Sequence, residues 1–192
     1  MEIRIAENCG FCYGVKRAVA MAQKTAENDF TSYTLGPIIH NPQVVQSLAD
    51  DGVRAVNSLE EIPDGQVIIR SHGVGPAIYK EAEDKGLDVV DATCPHVKKA
   101  QQDAKSVVDD NMTLVILGEK KHPEVISINL WAGNKGIIVE SEKDAEIIPF
   151  VENMGVVVQT TVSQFKFQSI IGIVEKKTKN LKVFKTICTA TQ

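Results

Sequence analysis

Short β-branched runs alternate with helix-like patterns along the whole of this 192-residue chain. The runs predict strands at 2–5, 52–56, 66–69, 88–90, 113–117, 136–139, 155–158 and 182–184. The stretches between them predict helices at 13–27, 42–49, 76–85, 97–109, 123–132 and 162–177. Pro42, Pro76 and Pro123 stand where a first helical turn would begin, a position that does not need the N–H that proline lacks. The alternation predicts an α/β fold of parallel sheets with helices on both faces.

The pattern also repeats. Leu35-Gly36 is followed by His40 and a proline-led helix; Leu117-Gly118 is followed by His122 and another, the two histidines being 82 residues apart. Gly52-Val53 and then Ser58-Leu59-Glu60-Glu61-Ile62 are echoed by Gly136-Ile137 and then Ser141-Glu142-Lys143-Asp144. Val67-Ile68-Ile69-Arg70-Ser71-His72 is echoed by Val156-Val157-Val158-Gln159-Thr160-Thr161. Each repeat then runs through a helix and a strand to a cysteine, Cys94 or Cys188, and Cys94 itself lies 82 residues after Cys12. Such repeats mean stacked equivalent units with equivalent sites. The expected division is an N-terminal strand within 1–12 leading to the first cysteine, one α/β unit over 13–95, a second over 96–187, and the start of a third at 188–192. The repeat predicts an N-terminal part, or a truncated form, of a longer protein that roughly 80–90 further residues would complete.

Composition is that of an ordinary globular protein, 43% hydrophobic and 24% charged. A net charge of −4 gives no basis for nucleic acid or a membrane surface as partner. No apolar run approaches the ~18 residues of a membrane span, and the first residues lack the charged-then-apolar form of a signal peptide. The expectation is a cytoplasmic protein, whose cysteines serve metals or redox chemistry rather than disulfides.

One cysteine from each of three units can meet on a pseudo-threefold axis. Thiolates suit iron–sulfur clusters and zinc. A fully ligated electron-transfer cluster takes four cysteines, so Cys12, Cys94 and Cys188 would leave one corner of a four-iron cluster open to a substrate. Helix N-terminal amides next to them would favour the thiolate. The competing reading is three buried structural cysteines that merely recur with the repeat; the triple recurrence favours the cluster. Cys9 and Cys12 form a CxxC, half of a zinc site or a redox pair, but no second CxxC exists. Cys9 therefore reads as an extra thiol, able to form a labile disulfide with Cys12 if a cluster is lost.

His40, His72 and His122 each follow an apolar strand-like stretch, of which those before His72 and His122 are among the predicted strands, and precede a proline-led helix. Carboxyl ends of strands are where open α/β sheets bind ligands, and imidazoles beside helix-start amides suit an anion. His122-Pro123-Glu124 holds the acid/base candidate: a glutamate in an apolar pocket has a raised pKa and can deliver a proton, although a glutamate near a helix N-terminus is favoured in any case. Thr160 and Thr161 stand at the repeat position of Ser71 and His72, either to orient a hydroxyl, a water or Glu124, or to cap the next helix with Ser163. His96 reads as solvated or as support for Cys94, and Lys176-Lys177-Thr178-Lys179 as a solvated helix end.

Gly10-Phe11-Cys12-Tyr13-Gly14-Val15, His40-Asn41-Pro42, Ser71-His72-Gly73-Val74, Asp91-Ala92-Thr93-Cys94-Pro95, His122-Pro123-Glu124, Gln159-Thr160-Thr161 and Thr186-Ile187-Cys188 resemble, in order and across the whole chain, the LytB/IspH family of 4-hydroxy-3-methylbut-2-enyl diphosphate reductases. The resemblance implies three α/β units around a central [4Fe–4S] cluster held by Cys12, Cys94 and Cys188. It implies removal of the substrate's allylic hydroxyl as water by two electrons and two protons, with that oxygen on the open iron. The products would be isopentenyl and dimethylallyl diphosphate, at the last step of the methylerythritol phosphate route. It further implies His40, His72 and His122 on the diphosphate, with Glu124 as proton donor. Thr160 would position Glu124, water and the hydroxyl beside Thr161, and an external electron donor of ferredoxin or flavodoxin type would be required. His122 would also be able to pass a proton from the diphosphate to Glu124. The family's serine- and asparagine-rich diphosphate loop belongs to a third unit. Two other classes remain open on the residues alone: a non-catalytic iron–sulfur module, against which the acid and histidines argue, and a zinc-stabilised binding domain built on Cys9 and Cys12.

Overall fold

The computed structural model describes Arg4, residues 10–27 and residues 31–191. Cys9 and all but Arg4 of the strand expected at 2–5 lie outside these. The chain builds two sheets of identical plan. In the first, α1 (Tyr13–Ala26), β1 (Ser32–Leu35), α2 (Pro42–Asp50), β2 (Val53–Val56), β3 (Gln66–Ile69), α3 (Pro76–Asp84) and β4 (Asp88–Asp91) give a four-stranded sheet in the order β2-β1-β3-β4. In the second, α4 (Pro95–Asp109), β5 (Thr113–Leu117), α5 (Pro123–Trp131), β6 (Ile137–Val139), α6 (Glu142–Glu146), β7 (Val151–Val158), α7 (Gln164–Val174) and β8 (Thr178–Val183) give the order β6-β5-β7-β8. Every pairing is parallel, as the strand–helix alternation predicts.

The repeat extends to small devices. Pro42, Pro76 and Pro123 all open their helices, and so does Pro95, which starts α4 two residues earlier than its apolar pattern suggests. Where the second unit has α6, the first has a single turn, Leu59–Glu61. Both are closed the same way: the Ser58 N–H donates to the Glu61 carboxylate at 3.0 Å and the Ser141 N–H to that of Asp144 at 2.9 Å.

Helices cover both faces of each sheet. Ala18 and Ala22 of α1 and Leu48 of α2 pack on Val53 and Ile68, while Ala82 of α3 lies over Leu35, Val67 and Ile69. Ala100, Ala104 and Val107 of α4 and Val125 and Ile128 of α5 cover Leu114, Ile116 and Val157; Ile170 and Val174 of α7 cover Val115, Leu117, Val156 and Val158. Each fully buried Val, Leu or Ile among these contributes roughly 1.5–3 kcal/mol, and the alanines, with one methyl each, less.

Several elements differ from expectation, four of them for evident physical reasons. The central strand β1 is absent from the hydrophobic pattern because Ser32 and Thr34 carry hydroxyls, yet both are buried, and Ser32 donates to the Thr25 carbonyl at 3.4 Å. β7 and β8 begin at Val151 and Thr178, earlier than predicted, through exposed polar pairs such as Asn180 to Asn153 at 2.9 Å. α7 ends at Val174 and tightens into a 3₁₀ turn over Glu175–Lys177 instead of running to 177.

At Gly155 of β7 an added Cβ would run into the Val107 side chain of α4. Gly155→Ala is therefore expected to overpack this face and lower stability by about 1–3 kcal/mol, read as a drop in the urea midpoint with the denaturant slope unchanged.

Candidate active site at the strand ends

In both sheets the central pair is in register at its carboxyl end, Leu35 opposite Ile69 and Leu117 opposite Val158. The loops after these strands therefore leave together, at the edge where open α/β sheets bind ligands. Beyond β3 the Ser71 carbonyl accepts the Cys94 N–H at 2.9 Å; beyond β7 the repeat-equivalent Thr160 carbonyl accepts the Cys188 N–H at 2.9 Å. Thr186 adds a second tie, donating to the Val158 carbonyl at 2.6 Å and accepting the Val158 N–H at 2.9 Å. Asp91 shapes the turn into Cys94 by accepting the Thr93 N–H at 2.9 Å and pairing with Lys98 at 2.6 Å. Burial would raise its pKa, and Lys98 with Thr93 more than offsets that, holding it below the usual carboxylate value.

Cys12 caps α1 and Cys94 caps α4, while Cys188 precedes a 3₁₀ turn at Thr189–Thr191. All three line one cavity of about 120 Å³, with Glu124, Thr160 and His72 in its wall. α1 meets Cys94 closely: a Cβ on Gly14 would lie 2.6 Å from the Cys94 sulfur. The helix amides do act on Cys94, through the N–H groups of His96 and Val97, but burial outweighs them and the charges of Cys12 and Cys188 add to it, so its pKa is raised above 9.0. Three soft donors that repel one another as thiolates make a set that a multiply charged iron centre neutralises. The residues present thus fit an iron–sulfur cluster.

Glu124 sits beside that cavity in the first turn of α5, 2% exposed. One carboxylate oxygen accepts the Thr160 N–H at 2.6 Å and the other the Thr160 hydroxyl at 3.0 Å. Burial raises its pKa above 4.5, against the lowering effect of both bonds. Thr160 is therefore a partner of Glu124 rather than a helix cap, a part taken by Ser163, which accepts the Lys166 N–H at 3.3 Å. Thr161 is exposed and its hydroxyl accepts from Gln159 at 2.9 Å.

His40, His72 and His122 converge. Their ring centroids are 4.3, 5.6 and 5.5 Å apart, and their nitrogens lie within 4.8 Å of one another. Burial pushes His72 down to about 3, helped by the charges of His40, Arg70 and His122; His122 is lowered for the same reasons. Such spacing would also suit a divalent cation, which the positive charge of the nearby Arg70 guanidinium disfavours. The His72 Nδ1 is buried without a partner. His122 Nδ1 accepts the Glu124 N–H at 3.2 Å, which leaves Nε2 to carry the proton and face the cluster. A relay of a proton through His122 to Glu124 would require Nδ1 to give up that bond.

Several contributors were not singled out in the sequence. Ser127 of α5 donates to the His72 carbonyl at 2.9 Å and so ties the two units together behind the histidines. Gly73, at φ +72°, allows this: a Cβ there would sit 2.5 Å from the Gln101 amide and 3.0 Å from Thr93. Neither residue carries a sequence signal of this role. Arg70 and Gln159 had one, their shared repeat position.

Parallel sheets whose loops bring together thiols, a buried acid and an imidazole cluster define an α/β enzyme rather than a plain binding fold. Residues 3–192 match the family described as LytB protein, and the chain belongs to that family. It is 43% identical over 194 residues to the 4-hydroxy-3-methylbut-2-enyl diphosphate reductase of Alkaliphilus oremlandii, covering 100% of this chain and 70% of the relative. It is 46% identical over 191 residues to that of Geobacter sulfurreducens, covering 100% and 68%. A solved (E)-4-hydroxy-3-methyl-but-2-enyl diphosphate reductase, described as the terminal enzyme of the non-mevalonate pathway, superposes with a TM-score of 0.85 at 41% identity over 98% of this chain and 68% of its own. The Plasmodium falciparum reductase superposes at 0.91 with 29% identity, over 96% and 60%. Among the described residues no helix is long and apolar enough to cross a membrane.

Gly14→Ala is expected to push the Cys94 sulfur out of line. Iron and sulfide per chain after anaerobic purification should fall well below the parent's, while the far-UV circular dichroism stays the same.

Proposed function

We propose that this chain carries the site for reductive dehydroxylation of 4-hydroxy-3-methylbut-2-enyl diphosphate to isopentenyl and dimethylallyl diphosphate. Each turnover takes two electrons and two protons and releases one water. The observation that carries the reading is Glu124, buried, held at both oxygens by Thr160, and open to the cavity that Cys12, Cys94 and Cys188 line. In this reading those cysteines hold a [4Fe–4S] cluster, which when bound supplies the electrons and a Lewis-acidic iron. An external one-electron protein donor recharges it.

The chain's own residues do the rest. His40, His72 and His122 take the diphosphate; burial lowers the pKa of His72 and His122 and so favours their neutral, N–H-donating rings, whose dipoles an arriving anion meets. Thr160 fixes the carboxyl of Glu124, and the raised pKa keeps a proton on it above the ordinary carboxylate range, ready for the departing hydroxyl. Thr161, oriented by Gln159, flanks the same opening. Residues 13–95 and 96–187 serve as two equivalent units around this centre, and a cytoplasmic setting would keep the thiols reduced.

The reading is tested by metal and sulfide analysis with Mössbauer spectra under anaerobic conditions. About four irons and four sulfides per chain are expected, with one iron changing on addition of substrate; zinc in their place, or no metal, would overturn it. Glu124→Gln should keep cluster and substrate binding but lower turnover by roughly 10²–10⁴-fold. The pH dependence has a defined sign. A folded pKa raised above 4.5 stabilises the fold fully below 4.5 and loses that contribution as pH rises through the folded value. Glu124→Gln should therefore gain thermal stability relative to the parent as pH increases from 4.5, and the parent's turnover should fall along the same limb.

A further inference from the structure

Arg70 stands at these strand ends with no contact of its own assigned above. It follows β3, immediately before Ser71 and His72. Its Nε is buried without a partner, and among the described residues no hydrogen bond or ion pair engages its guanidinium. A cation that is half withdrawn from water and unpaired is costly, and structures retain one where it meets a ligand of opposite charge.

The repeat supplies an internal control. Gln159 occupies the equivalent place after β7, and both side chains lie over an equivalent glycine. A Cβ at Gly36 would lie 2.6 Å from the Arg70 guanidinium, and one at Gly118 would lie 2.7 Å from the Gln159 carboxamide. Gln159 is fully used: its oxygen accepts the Glu119 N–H at 2.9 Å and its nitrogen donates to Thr161 at 2.9 Å. In the first unit Glu119 is replaced by Pro37, which has no N–H to give. The local bond that justifies a carboxamide is missing there, and a side chain with donors only stands in its place. Its surroundings are open: Arg70, Gly36, Pro37, Gly73, Pro123 and Ser127 line a cavity of about 300 Å³. Gly73 and Pro123 are the chain neighbours of His72 and His122, so this cavity adjoins the imidazole cluster. The guanidinium is near enough to act electrostatically on both of those histidines.

We propose that Arg70 is a fourth anion-binding residue, its guanidinium reaching from this cavity to the oxygens of the phosphate group that the three histidines hold. The inference rests on the reading of those histidines as a diphosphate site and adds to it a permanent positive charge. Imidazoles supply direction and a planar guanidinium supplies charge with a paired donor geometry, which suits a phosphate oxygen pair.

The test is calorimetric titration of inorganic pyrophosphate into the parent chain, Arg70→Gln, Arg70→Met and Arg70→Lys, each first shown to melt cooperatively. Gln and Met variants are expected to bind roughly 10- to 100-fold more weakly. Arg70→Lys should recover most of the loss at low salt and less at high salt, a pattern that a merely structural role would not produce. Parent-like affinity in either folded neutral variant overturns the assignment of Arg70 alone. Absence of pyrophosphate binding in the parent overturns the histidine site and this inference with it.

Discussion

The site depends on one constraint, the in-register parallel pairing of the central strands β1 with β3 and β5 with β7. Because Leu35 faces Ile69 and Leu117 faces Val158, the next residues of each pair emerge at one level, and their loops are forced to share a small volume. Everything that follows is short-range. Gly36 lies under Arg70 and Gly118 under Gln159. The carbonyls of Ser71 and Thr160 reach the backbone of Cys94 and Cys188. A slip of one residue in either sheet would turn every side chain of the strand to the opposite face and scatter all of these contacts together.

The same physical term governs the two kinds of acid in the site. Burial outweighs the Thr160 bonds at Glu124 and outweighs the helix amides at Cys94, so both groups hold their protons more tightly than in water. The consequences diverge. For Glu124 a retained proton is the useful state. For the Cys94 thiol it is a barrier that a bound metal's positive charge would remove, with release of the proton as the ligand engages. His72 and His122 show the reverse sign, since burial and the charges around them lower their proton affinity and favour neutral rings. Two carboxylate-bearing or imidazole-bearing loops of ordinary sequence thus acquire opposite proton affinities a few residues apart, from how deeply each is set.

Much of this was legible in the sequence. Apolar runs and proline-led helices placed most elements, and the internal repeat placed the cysteines, histidines and threonines at corresponding points without any structure. β1 was hidden because Ser32 and Thr34 bury hydroxyls in a central strand, where the backbone ladder and not the side chains supplies the pattern. The early parts of β7 and β8 were hidden because their residues face water. Ser127 was invisible, and the packing that calls for a glycine at 73 unreadable from its motif, for a different reason: both depend on an approach between the two units, which no local spacing encodes. The cap formed by His122 Nδ1 on Glu124 was likewise unreadable, since it turns on which ring nitrogen faces inward.

The two units differ most where they cost least to change. Arg70-Ser71-His72 in one and Gln159-Thr160-Thr161 in the other occupy matching positions just past the last paired residues of β3 and β7. The strands behind them, Val67-Ile68-Ile69 and Val156-Val157-Val158, remain interchangeable in character. A duplicated unit with this layout can trade recognition for reactivity by substitutions confined to one loop, while its hydrophobic interior goes on folding as before. Symmetry in the scaffold and asymmetry in the chemistry are then separately heritable, and a chain built by copying can evolve a division of labour between its copies.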